Sequence, residues 1–280
     1  MESVLCLTDY TNNSAQTFRF AVQIAQVLHI ELLLVHVIDT PSATFEEEEI
    51  LISGNSGAAN PKYITELQRL KAFAADHGGD ALGQAAIRYF VSGGSARERA
   101  LELIQAHNVV LTVMGMRNRK GFADRIFGTL ARKMIDQAPC PLLLIPPETG
   151  FRIIRGIAYS TDFSYDNLNA IELLLRWCDA FDAPLYLLHF SGVREEHSRA
   201  EAMMERIVHT FDEEYHKNRI SFSVQEGGVI EGIERFIAGN PVDIVAMTRH
   251  SKGLWEKWTE TSLAKNLAES VPVPVLIFKE

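Results

Sequence analysis

Short apolar runs alternate with amphipathic stretches along the whole chain. Val4–Leu7, Glu31–Val37, Tyr89–Ser92, Val109–Met114 and Cys140–Ile145 read as strands. The near-continuous apolar ones are of the kind buried on both faces of a parallel sheet. Between them, Ser14–Leu28 places Phe18, Ala21, Ala25 and Leu28 at helical spacing, and Lys62–Asp76, Ala96–His107 and Phe127–Gln137 read as further helices.

The pattern then begins again. Val4–Asp9 and Ile157–Asp162 are both strand-like runs ending in Thr-Asp, 153 residues apart, and Glu31–Val37 matches Pro184–Phe190 at the same offset, His36 falling on His189. Later landmarks shift by 133 residues: Val109–Met114 matches Val242–Met247, and Cys140–Ile145 matches Val273–Phe278. In the second copy, Asn167–Cys178, Ala200–Lys217, Ile230–Gly239 and Ser262–Ser270 read as helices, and Ser221–Gln225 as the third strand. The difference between the offsets leaves about 20 additional residues in the first copy. They fall where Glu46–Glu49 and the Gly/Ser/Asn-rich Ser53–Asn60 read as a mobile, solvated loop. The expected organisation is two paralogous domains, 1–147 and 151–280. Each is an open, doubly wound α/β domain with a parallel sheet of five strands.

Composition then removes whole classes. The chain has 280 residues, of which 47% are hydrophobic, enough for two cores and too many for a disordered chain. A net charge of −9 argues against general nucleic-acid or anionic-membrane binding. No apolar stretch approaches the roughly 18 residues that a membrane span needs, and the N-terminus lacks a basic region followed by an apolar one. Cys6, Cys140 and Cys178 are widely spaced with no metal-ligand pattern, as expected of buried, reduced thiols. A soluble cytoplasmic protein is expected.

Doubly wound sheets bind ligands beyond the carboxyl ends of their strands, where the strand order reverses. After the fourth strand the first copy reads Met114-Gly115-Met116-Arg117-Asn118, continuing to Gly128-Thr129-Leu130. Glycine lets the backbone turn and present N–H groups to an anion, and a helix starting at Gly128-Thr129 adds free N–H donors. From Arg117 to Lys133 six basic residues face one acid, a charge of +5 within a half that sums to −3.

These residues resemble the universal stress protein family, in tandem form and over essentially the whole chain. ATP-binding members carry G-x2-G-x9-G-[S/T] after the fourth strand, an Asp ending the first and V-H-V near the end of the second. Here Gly115-x2-Asn118-x9-Gly128-Thr129, Asp9 and Val35-His36-Val37 stand in those places, with Asn118 replacing the second glycine. Asn tolerates left-handed backbone, which would preserve the turn, while its side chain would crowd the phosphates. The resemblance implies the universal stress protein fold of the adenine-nucleotide alpha-hydrolase type. It also implies a nucleotide site of Thr8, Asp9, Val37, Met114, Gly115, Arg117, Asn118, Gly128, Thr129 and Leu130. Asp9 would meet the ribose, Val37 the adenine, and Gly115, Asn118, Gly128 and Thr129 the phosphates of ATP, with Mg2+ as the cation that could accompany it. It implies, too, that the last strands pair the two domains as a pseudo-dimer. A higher homo-oligomer is left open.

The second copy keeps the spacing as Thr248-x2-Ser251-x9-Thr261-Ser262 but none of the glycines, so it reads as a degenerate, nucleotide-free half. Ser92-Gly93-Gly94-Ser95 reads as a tight turn into a helix, and His36 and His189, being repeated, as packed or hydrogen-bonded structural residues. Trp255 and Trp258 read as core or lid packing. No nucleophile–base pair or metal motif is recognisable. The expected function is regulatory binding of ATP or a related adenine nucleotide in the first domain, with slow ATPase activity at most. The alternative is a nucleotide-free adaptor whose clefts take protein partners or another metabolite.

Overall fold

The computed structural model describes residues 1–38, 45–47, 61–79, 85–118, 125–126, 129–147, 149–162, 167–191, 197–212, 219–249 and 256–279. The chain divides into two compact units, Met1–Phe151 and Arg152–Glu280.

In the first unit the strands are β1 (Ser3–Thr8), β2 (Glu31–Ile38), β3 (Phe45–Glu47), β4 (Ile87–Gly93), β5 (Val109–Gly115) and β8 (Leu142–Ile145). Helices α1 (Asn12–Val27), α2 (Pro61–His77), α3 (Ala96–Ala106) and α4 (Thr129–Gln137) connect them. The order is β8-β5-β1-β2-β4-β3. All neighbours are parallel except β3, which runs antiparallel to β4. The expected five-stranded parallel sheet thus gains an edge strand. Phe45–Glu47 belongs to the segment read as a loop, yet it pairs with the otherwise open edge of β4. Ser53–Asn60 lies outside the described residues.

Strand order explains the layers. From β1 the chain moves outward through β2 and β4, then returns to the other side of β1 for β5 and β8. Right-handed crossovers therefore put α1 and α2 on one face and α3 and α4 on the other. The reversal, and with it the crevice, lies between β1 and β5. Val4–Cys6 of β1, Leu32–Val35 of β2 and Leu142–Ile145 of β8 are buried on both faces, as their continuous runs require, and Phe18, Phe20 and Ile24 of α1 are fully buried.

The second unit repeats this with β9 (Ile157–Ser160), β10 (Leu185–Ser191), β11 (Ile220–Glu226), β12 (Ile244–Arg249) and β13 (Val275–Lys279), in the order β11-β10-β9-β12-β13 and all parallel. Its helices are α5 (Asn167–Phe181), α6 (His197–Asp212), α7 (Val229–Gly239) and α8 (Glu256–Ser270). The last of these starts six residues before the expected Ser262. Among the described residues no helix is long and apolar enough to cross a membrane. Cys6, Cys140 and Cys178 are buried free thiols, and burial pushes the Cys178 thiol up to about 12.

Candidate functional site: the carboxyl ends of the first unit's strands

Asp9 follows β1 and organises the start of α1. Its Oδ1 accepts hydrogen bonds from the Thr11 amide at 3.2 Å, the Thr11 hydroxyl at 2.6 Å and the Ser14 hydroxyl at 2.5 Å. Thr11 is the N-cap of the helix, its side chain accepting from the Ser14 amide. One carboxylate oxygen is therefore committed to helix capping. The next residue, Tyr10, takes a left-handed φ of 61°, rare for a bulky side chain.

That turn sends the Tyr10 ring onto His36, centroid to centroid at 4.2 Å, and against the edge of Phe73 on α2. The Arg69 guanidinium lies 4.2 Å from the Tyr10 centroid, a cation–π contact. Tyr10 Oη donates weakly to Glu66 at 3.4 Å, and burial together with that carboxylate raises its pKa. His36 Nδ1 lies 2.9 Å from the Thr8 carbonyl oxygen, and its Nε2 is 3.9 Å from Glu66 Oε2. Burial lowers the His36 pKa against the opposing pulls of the Thr8 carbonyl and Glu66. Sequence reasoning did not find this cluster, because Glu66 and Arg69 are ordinary residues of an amphipathic helix.

Register sorts the expected site residues by face. Thr8 pairs with His36, and Cys6 with Val113, so two residues further on Thr8 and Gly115 stand level. Side chains of paired residues in a parallel sheet share a face, and here it is the face covered by α1 and α2. Val37 and Met114 therefore point to the opposite face, which α3 and α4 cover. A β-carbon built on Gly115 would meet Asn13 Nδ2 at 2.6 Å and Thr17 Oγ1 at 2.7 Å, both on α1. The glycine is thus required by close approach of the helix. This changes the reading of the second unit: a β-carbon at Thr248 points into helix packing, not at a phosphate. Thr17 is matched there by Ala170, 153 residues on, a smaller side chain.

Arg117–Asn118 (β6) pairs antiparallel with Arg125–Ile126 (β7). Asn118 has extended backbone, so the expected left-handed turn at this position is corrected: pairing with the returning strand fixes the conformation. Gly128 lies outside the described residues. Helix α4 begins at Thr129, which is exposed, with Leu130 partly buried; the first N–H groups of a helix have no partner within it. The second unit differs at this point. Helix α8 runs from Glu256, so Thr261 and Ser262 lie inside it and their N–H groups belong to its hydrogen-bond ladder. Across its β9–β12 crevice, Tyr159 Oη lies 2.7 Å from Thr248 Oγ1, with the Tyr159 side chain fully buried. Trp255 lies outside the described residues.

The remaining motifs resolve simply. Ser92–Ser95 closes β4 and enters α3 through Gly94 at φ 102°, a left-handed turn that suits glycine. Its amide donates to the Ile38 carbonyl at 3.2 Å. Among the described residues no cluster of His, Cys, Asp or Glu could hold a metal ion.

The two halves match the universal stress protein family separately, over residues 1–146 and 154–279. The chain belongs to the universal stress protein family. Among solved structures it is similar to a universal stress protein from Archaeoglobus fulgidus DSM 4304, with 14% identity and a TM-score of 0.68 over 99% of this chain and 98% of that one. It is also similar to a putative universal stress protein from Pseudomonas aeruginosa UCBPP-PA14, with 15% identity and a TM-score of 0.67 over 99% and 92%. No curated protein matches it. At these identities the likeness concerns the fold: two universal stress protein domains in tandem, each α/β.

Proposed function

We propose that this universal stress protein binds ATP or a related adenine nucleotide at the carboxyl ends of β1, β2 and β5, and that binding regulates a conformation or partner preference rather than feeding a reaction. The observation that carries this reading is the contrast at the fourth helix. In the first unit α4 starts at Thr129, directly after Gly128, and offers its unpaired N–H groups and positive end to an anion. In the second, the corresponding residues are interior to α8. The +5 charge from Arg117 to Lys133 favours the same ligand.

On this reading Gly115, Asn118, Gly128, Thr129 and Leu130 hold the phosphates, with Arg117 adding charge. Thr8, Asp9, Val37 and Met114 line the ribose and adenine side. Any Mg2+ would be held by the phosphates and water, the usual arrangement for this cation. His36 Nδ1 and Asp9 Oδ1 are engaged in structural hydrogen bonds, which supports binding over turnover. The second unit is a nucleotide-free partner, its strand ends bridged by Tyr159 and Thr248. Membership of the family supports a role in the stress response, exercised in the cytoplasm.

Equilibrium binding of ATP to the purified full chain tests the reading. Saturable binding that Gly128→Val abolishes supports it. Absence of binding at millimolar ATP, with Gly128→Val indistinguishable from the parent, overturns it in favour of an adaptor that works without nucleotide.

A further inference from the structure

Asn13 sits in the first turn of α1, four residues after Asp9, and its side chain reaches across the crevice. Its Nδ2 donates a hydrogen bond to the carbonyl oxygen of Met116, the residue just after β5. The Met116 amide is itself held by the Ile145 carbonyl at 2.9 Å. Both backbone groups of Met116 are thus fixed, one by β8 and one by Asn13, at the point where the chain leaves the sheet toward Arg117 and Asn118. Gly115 permits this, since a β-carbon there would lie 2.6 Å from the same Nδ2. At the other end of the amide, Asn13 Oδ1 is buried with no hydrogen-bond partner among the described residues. A buried acceptor left unpaired is unfavourable, so the side chain is maintained against that cost by what its donor does.

We infer that Asn13 is a positioning residue for phosphate recognition. It ties the root of the segment after β5 to the helical turn that Thr11 caps and Asp9 braces, so that one turn of α1 sets the spacing between the ribose side and the phosphate side of the crevice. This rests on the nucleotide reading above and extends it to a residue that touches no ligand. Its counterpart in the second unit, 153 residues on, is Asp166, which as a carboxylate has no donor for a carbonyl.

The test compares ATP with adenosine on the full chain. Asn13→Leu removes the donor and the orphan acceptor together, at similar volume. It should weaken ATP roughly tenfold, the loss of about one well-placed hydrogen bond's worth of positioning, and leave adenosine affinity unchanged. Asn13→Ala serves as the second variant should the leucine fail to fold. Equal weakening of both ligands, or unchanged ATP affinity, overturns the assignment while leaving the nucleotide reading intact. A parent protein that binds neither ligand overturns both.

Discussion

His36 Nδ1 lies 2.9 Å from the carbonyl oxygen of Thr8, and His189 Nδ1 lies 2.9 Å from the carbonyl oxygen of Thr161. The same bond recurs at the same place in both units. It requires the Nδ1–H form of the ring and ties the end of the second strand to the end of the first. A bond kept in the half that lacks the phosphate glycines serves the fold.

The first prediction concerns acid. Burial lowers the His36 pKa below its ordinary 6.5, and burial with the neighbouring Arg88 does the same to His107. The unfolded chain therefore binds more protons than the folded one as pH drops through 6.5, and stability falls until the lowered folded values are passed. Glu66, Tyr10, Arg69 and Asp9 surround His36 and set how far this extends. Urea unfolding should show a midpoint that declines below pH 6.5, with a shallower decline in His36→Asn. An NMR titration of His36 with a midpoint above 6.5 would contradict it.

A second prediction follows from the Asp9 network. Asp9→Ala removes three acceptor contacts at the start of α1 and should cost about 1 kcal/mol, as loss of a helix cap does. Ser14→Ala removes one of the same bonds. Because the two share it, the double variant should lose less than the sum. Additive losses in chemical unfolding would show that the 2.5 Å contact between these side chains contributes nothing.

Much of this architecture was legible in the chain because it follows from periodicity and repetition. The two offsets exposed the tandem repeat, and His36 recurs as His189 with the same hydrogen bond in both units. The side chains of Thr8 and His36, and a β-carbon at Gly115, face α1 and α2, a direction set by the pleat that a linear motif does not encode. Glu256–Thr261 carries a single apolar residue, Trp258, so no helical period marks the start of α8. The pairing of Tyr159 with Thr248 joins residues 89 positions apart and depends on strand register, so neither residue stands out alone.

The Tyr159–Thr248 pair yields the third prediction. Tyr159→Phe keeps the buried ring and removes only the hydroxyl, which should destabilise the second unit by about 1–2 kcal/mol. Thr248→Val should cost a similar amount, and the double variant should recover a coupling of about 1 kcal/mol. Absence of coupling in a double-mutant cycle followed by chemical unfolding would show that the two hydroxyls do not depend on each other.

The last prediction exchanges packing between the units. Gly115 faces Asn13 and Thr17, whereas Thr248 occupies the same position opposite Ala170. Gly115→Thr alone adds a branched side chain where the first atom already lies 2.7 Å from Thr17 Oγ1; overpacking of this kind costs about 1–3 kcal/mol. Thr17→Ala alone loses a hydroxyl that donates to the Asn13 carbonyl in its own helix at 2.8 Å, a minor loss. Combined, the second change makes room for the first, and roughly half of the Gly115→Thr penalty should return. The remainder belongs to Asn13, which the threonine still displaces from Met116. ATP affinity should therefore stay impaired in the double variant even as its unfolding midpoint recovers. Recovery of stability and ATP affinity together would mean that Thr17 alone accounts for the glycine, and that Asn13 adjusts without loss.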